Sequence, residues 1–181
     1  MAGKMLYVGV DDAPNSTAVV WRYDPPRRGL SSVEFKVIVP PKGESLYGTA
    51  YRVFEVFDQM PTDRLIIACV ERPLKSPIKN NKSWGDHREF FGMIYALLMV
   101  DVRPYIRVYS CYPDETKEAV NAAASADKDT MIRAVSRLGW PEILTVNLNV
   151  RARTDCADGY ALSLEAERQF RAEKILNGGS K

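Results

Sequence analysis

Two short apolar runs, MLYVGV at 5–10 and LIIACV at 65–70, each lead straight into an acid, Asp11 and Glu71. Continuous branched runs of this length suit strands buried on both faces of a sheet, the usual state of parallel strands covered by helices. If the two strands are parallel neighbours, both carboxylates emerge at one edge of the sheet. The carboxyl ends of such strands are where open α/β sheets place their sites. Taken singly, Asp11 also reads as the opening of a turn (Asp11-Asp12-Ala13-Pro14-Asn15) and Glu71 as the start of a solvated loop.

The rest of the chain fills in around these runs. Residues 17–23 and 33–39 read as two further strands joined by the turn Asp24-Pro25-Pro26-Arg27-Arg28-Gly29, making an antiparallel meander with the first strand. Leu46, Tyr47, Ala50, Val53, Phe54 and Phe57 recur at helical spacing and predict a helix over 44–59. A polar stretch at 72–84 precedes an unusually apolar helix over 86–101. Residues 105–109 give another strand, and 114–124 a short helix or an irregular segment. A helix over 127–138 has Asp127 to cap its start, Gly139 to end it and Pro141 to block continuation. A last helix covers 155–175, followed by a frayed tail. A meander followed by alternating helices and strands predicts an α/β fold with a mixed sheet, as a single domain over 1–176 with a flexible tail at 177–181.

Composition narrows the chemistry. The 181 residues, 46% hydrophobic and 27% charged, suit an ordinary globular domain and exclude collagen-like, disordered and disulfide-scaffold chains. Lys and Arg number 25 against 23 Asp and Glu, so the net charge of +2 selects no partner by itself. His87 is the only histidine, which excludes a zinc site built from several histidines and any paired-histidine mechanism. Cys69, Cys111 and Cys156 are widely spaced and odd in number, as in a reducing compartment. No signal peptide precedes the first strand, and no apolar run is long enough to span a bilayer, so the expectation is a soluble cytoplasmic protein without membrane contact.

A third acidic element is Thr154-Asp155-Cys156-Ala157-Asp158. On a helix Asp155 and Asp158 share a face, with Cβ atoms roughly 5–6 Å apart. Acids in a first helical turn also complement the macrodipole, so capping is the bland alternative. Ala157, Ala161, Leu162 and Leu164 beside them suggest a partly buried helix, and like charges on a packed face need a counter-ion. Four carboxylates without histidine suit Mg²⁺ or Mn²⁺ rather than zinc. Two such ions about 3.5–4 Å apart are a known clamp for phosphodiester hydrolysis.

With these residues placed, the sequence resembles the RuvC-type Holliday junction resolvases of the RNase H-like superfamily. The resemblance is carried by LYVGVDDAPNSTAVV at 6–20, LIIACVERP at 65–73, DETKEAVNAAASADKDTMIRAV at 114–135 and TDCADGYALSLEA at 154–166, and covers nearly the whole chain. It implies an RNase H-like five-stranded sheet flanked by helices. It also implies that Asp11, Glu71, Asp155 and Asp158 hold two Mg²⁺ ions, with Mn²⁺ as a substitute. Lys128 matches the family lysine near the scissile phosphate. Lys117, eleven residues earlier, matches the other family lysine, expected to touch DNA or balance charge.

The chain departs from the family's pattern in two places. The family's first motif runs Gly-Ile-Asp-Pro-Gly, whereas Asp11 is followed here by Asp12-Ala13-Pro14, so Asp12 competes as a ligand; strand alternation and the motif both favour Asp11. Asn121-Ala122-Ala123-Ala124 replaces a Gly-rich stretch, which puts backbone contacts there in doubt.

Arg72, Lys75, Lys79 and Lys82 follow Glu71 with no acid among them, a basic patch suited to phosphates or else a plain solvated loop. Trp84 is a candidate wedge that stacks on exposed bases, with core packing as the commoner fate. The apolar helix over 86–101 matches the helix through which the family dimerises. The expected function is therefore a metal-dependent endodeoxyribonuclease that resolves four-way DNA junctions as a homodimer, in a bacterial host cytoplasm if phage-encoded. The alternatives are a nuclease for other branched DNA or structured RNA, and a non-catalytic nucleic-acid-binding module of the same fold. An actin-like phosphotransferase would need a second similar domain and Gly-rich phosphate loops, for which 181 residues leave no room.

Overall fold

The computed structural model describes residues 4–26, 32–74, 81–100 and 105–178. Five strands form one mixed sheet: β1 (Met5–Ala13), β2 (Ser16–Asp24), β3 (Val33–Ile38), β4 (Leu65–Glu71) and β5 (Ile106–Cys111), in the order β3-β2-β1-β4-β5. The meander β1-β2-β3 is antiparallel, whereas β4 joins β1, and β5 joins β4, in parallel. The mixed sheet expected from the sequence is therefore present.

Helices cover both faces. α1 (Leu46–Asp58) and α2 (Asn81–Met99) pack against the side of the sheet bearing Leu6, Val8, Val10, Ile66, Ala68 and Val70. α5 (Val150–Gly178) covers the other side, with α3 (Pro113–Ala119), α4 (Lys128–Leu138) and a 3-10 turn (Pro141–Leu144) packed around it. The continuous apolar runs follow from this arrangement, because alternate residues of β1 and β4 face different helix layers and both layers are dry.

Some boundaries differ from the sequence reading. β1 does not end at Asp11: both acids lie inside the ladder, Asp11 opposite Ala18 and Asp12 opposite Thr17, and the turn is only Pro14-Asn15. Pairing with β2 satisfies the backbone of both residues, so the strand outlasts its apolar stretch. α2 begins at Asn81 rather than Asp86, which places Trp84 on the helix. The single Gly85 costs only about 1 kcal/mol there. The buried stripe Phe90, Ile94 and Leu98 holds that helix on the core. α5 begins five residues before Asp155 and runs to Gly178, three residues beyond the expected end at 175. Asn149 caps α5 by accepting from the Ala152 N–H at 2.9 Å, which rules out the capping reading of Asp155. The open choice at 114–124 resolves into α3, with Pro113 in its first turn, and a turn at Asn121 (φ 56°). Asp127 caps α4 as expected, its carboxylate accepting from the Thr130 N–H at 2.8 Å, and Gly139 ends it at φ 140°. Among the described residues no helix is long and apolar enough to cross a membrane.

The approach of α5 to the sheet decides where the acids go. α5 is buried on nearly all sides from Thr154 to Ser163. A Cβ added at Gly9 would stand 1.9 Å from the Gly159 carbonyl oxygen and 2.6 Å from the Ser163 nitrogen; one added at Gly159 would stand 2.8 Å from Val20 Cγ2. Two glycines thus let the helix backbone lie directly on β1 and β2. The helix runs opposite to β1: Leu162 and Ala166 share a cluster with Tyr7, Gly159 meets Gly9, and the acids of the helix lie toward Asp11. The spacings agree, since four residues of helix rise about 6 Å and two residues of strand about 6.6 Å.

Candidate active site

Asp11 and Glu71 stand one rung beyond the last parallel pair, Val10 with Val70, at adjoining ends of β1 and β4. Strand alternation turns Asp11, like Tyr7 and Gly9, toward α5, where Asp155 and Asp158 lie on consecutive turns. Electrostatics tie the acids together. Asp11 is held well above the usual carboxylate range, first by burial and then by the charges of Glu71, Asp158, Asp155 and Asp12. Glu71 is pushed up to about 8 by burial and the nearby Asp158 and Asp12. Asp158 is raised to about 7 by burial and Asp155, against the opposing pull of Lys117 and Lys128.

Two hydroxyls hold this cluster in place. Ser16 Oγ donates to Asp155 Oδ2 at 2.5 Å, and Thr116 Oγ1 donates to Glu71 Oε1 at 3.3 Å. Lys117, half-buried on α3, donates to the Ala124 carbonyl at 2.6 Å, and Lys128 is exposed in the first turn of α4. Both expected lysines therefore flank Asp158.

The four acids, Asp11 and Asp155 buried and Glu71 and Asp158 half-buried, offer only hard oxygen donors. That chemistry fits a hard divalent cation. Among the described residues, no group of three or more His, Cys, Asp or Glu side chains is placed so that it could hold a metal ion as it stands.

The raised carboxyls have a consequence for folding. A carboxyl whose folded-state pKa is raised stabilises the fold fully only below its unfolded value, near 4, and that contribution is lost as pH rises through the folded value. For Asp158 and Glu71 the loss runs up to about 7 and about 8. Without divalent ions the protein is therefore expected to melt higher at pH 5.5 than at pH 8, by about 5 °C or more. Calorimetry in EDTA measures this, and a melting temperature that falls on acidification contradicts the shared acidic pocket.

Asp12 is not a fifth member. It points to the opposite face, is fully buried, and accepts from His87 Nε2 of α2 at 2.8 Å. The sequence reading set His87 aside as a lone histidine. Consecutive acids on a strand must face opposite layers, so Asp12 demanded a partner from the α1–α2 layer. That was the signal available. Ser16 and Thr116 carried none.

Of the expected DNA contacts, Arg72 is exposed, donates to Ser110 Oγ at 2.8 Å and lies over the Tyr112 ring. Trp84 is half-buried, neither packed into the core nor free: its Nε1 donates to the Leu74 carbonyl at 2.9 Å and Arg88 lies over its ring. Lys75 and Lys79 lie outside the described residues, as does the Lys82 side chain. The Arg153 guanidinium donates to the carbonyls of Val146 and Leu148.

This sheet order, with acids at adjoining ends of β1 and β4 and on the helix across them, defines an RNase H-like fold. Within that class the chain is similar to Thermus thermophilus RuvC, solved in complex with a Holliday junction substrate, at TM-score 0.61 and 16% identity over 92% of this chain and 96% of that one. A second Thermus thermophilus RuvC structure matches over the same shares at TM-score 0.57. The yeast mitochondrial Holliday junction resolvase Ydc2 matches at TM-score 0.60 and 14% identity, over 93% of this chain and 81% of that one. No family model and no curated protein matches the sequence.

Proposed function

We propose that this protein is a RuvC-type, divalent-metal-dependent endonuclease that resolves four-way DNA junctions by paired phosphodiester hydrolysis. The observation that supports the reading is that Asp11, buried on β1, is held well above the usual carboxylate range first by burial and then by the charges of Glu71 on β4 and of Asp158 and Asp155 on α5. Those four residues would hold Mg²⁺, with Mn²⁺ as a substitute. The metal, when bound, supplies activation of the attacking water and charge stabilisation at the leaving oxygen.

The chain supplies position and counter-charge. Ser16 and Thr116 hold Asp155 and Glu71, so that each carboxylate keeps one orientation. Lys128 faces the scissile phosphate beside Asp158, and Lys117 balances the site's charge or meets the adjoining backbone. Arg72, which follows Glu71, and Trp84, which lines a pocket with Arg72, take the DNA near the crossover, and Lys75, Lys79 and Lys82 of the same stretch of sequence add positive charge.

Paired nicks require two sites related by a twofold axis. α2 presents half-buried Phe91 and Tyr95, stacked at 5.5 Å between centroids, and Met99 at 57% exposure. A second copy packed on that side of α2 gives the homodimer. Sedimentation velocity at micromolar concentration is expected to show a dimer, and a monomer throughout removes the paired-nick part of the proposal.

The direct test is cleavage of a synthetic four-way junction beside linear duplex, flap and structured RNA substrates, with and without Mg²⁺. Junction cutting that needs the metal supports the proposal. Preference for a flap or RNA moves the substrate while keeping the chemistry, and junction binding without cutting in any metal identifies a binding module.

A further inference from the structure

The Asp12–His87 pair lies on the other face of β1, where it holds none of the roles just proposed, although its charges reach Glu71. Asp12 sits at 0% exposure in the sheet, and its only described partner is the His87 ring. Its second oxygen, Oδ2, has no hydrogen-bond partner among the described residues. A carboxylate in that position costs more than the apolar residue that would fill it, unless the charge is used. What it does here is grip one ring nitrogen. With Nε2 committed, Nδ1 is the nitrogen left for a ligand, and among the described residues it has no hydrogen-bond partner.

His87 lines an open groove of about 780 Å³ between the β1–β2 turn, the 40–44 segment and the start of α5. Exposed Lys42 and Arg151 border the same groove. Its acids are Asp86 and Glu44, and Glu44 is engaged by Arg52 at 2.9 Å. Ala13, Pro14 and Asn15, two to four residues past Asp11, line the groove, which therefore lies beside the end of β1 that carries the acids.

We propose that this groove is a second DNA-backbone site, in which the His87 imidazolium, its Nε2–H held by Asp12, donates Nδ1–H to one phosphate that Arg151 also faces. The inference rests on the nuclease reading for its ligand class, but not on cleavage for its test. Asp12 acts here as a positioning residue.

The test is junction binding by fluorescence anisotropy in EDTA, with single methylphosphonate groups scanned along each strand. The protein is expected to lose about tenfold in affinity at one backbone position, because a charge-assisted hydrogen bond is lost there. His87→Gln, which keeps an N–H for Asp12, should bind unmodified junction about tenfold more weakly and show no further loss at that position. Arg151→Gln, at an exposed position that does not threaten folding, should blunt the same or the adjacent penalty. Lowering the salt slope by about one for each variant is the accompanying signature. Penalties in both variants identical to those of the unaltered protein overturn the groove, as does an unaltered protein that binds no branched DNA. Cleavage scored in parallel separates the two readings: absent cutting with the methylphosphonate pattern intact sinks the nuclease alone, and normal cutting without the pattern sinks the groove alone.

Discussion

Glu71→Gln is expected to reduce junction cleavage by at least about a thousandfold while leaving junction affinity within about twofold. The substitution removes a charged donor from the edge of β4 but leaves the basic surface, Arg72 and Trp84 untouched. The amide keeps the shape of the side chain and can still accept from Thr116, so loss of fold is not the route to inactivity. It should even melt higher than the unaltered protein near pH 8, since it removes one of the buried, mutually repelling carboxylates whose ionisation burial opposes. Single-turnover cleavage, anisotropy and calorimetry on one preparation read all three effects. Lys128→Ala serves as the contrast: it should slow cleavage more than it weakens binding, because its ammonium acts at the phosphate beside Asp158. Cutting retained by Glu71→Gln would remove the proposed mechanism.

Gly9→Ala is expected to destabilise the protein by about 3 kcal/mol or more, lowering the melting temperature by about 6–12 °C. The added methyl meets the Gly159 carbonyl at 1.9 Å and the Ser163 amide at 2.6 Å, both backbone atoms that no rotamer change can move aside. Relief requires α5 to lift from β1, and that shift carries Asp155 and Asp158 away from Asp11. The variant should therefore lose activity out of proportion to its loss of folded fraction. Measured at a temperature where both proteins are folded, its kcat should fall even with saturating DNA. A Gly9→Ala protein with unchanged melting temperature would mean that the helix does not rest on this strand.

The two predictions draw on different kinds of information. Asp11 and Glu71 were legible along the chain, because an apolar run that stops at an acid marks a buried strand delivering a charge to its end. Asp155 and Asp158 were legible as a pair, since helical periodicity puts residues three apart on one face. Whether they cap the helix was not, because capping shares that local pattern, and only the actual start of α5, at Val150 under Asn149, removes it. Asp12 was ambiguous for a similar reason: strand alternation says that it faces away from Asp11, but not what waits on that side.

What the sequence by itself determined was the order of strands and helices and which acids follow the buried runs of β1 and β4, since periodicity acts between near neighbours. What only the tertiary structure decided was every partnership across long separations. These include Ser16 with Asp155, 139 residues on, His87 with Asp12 through the second helix layer, and Gly9 against Gly159. Such contacts depend on how closely layers approach and in what register. Packing of the whole core sets both, and no local pattern in the chain encodes either.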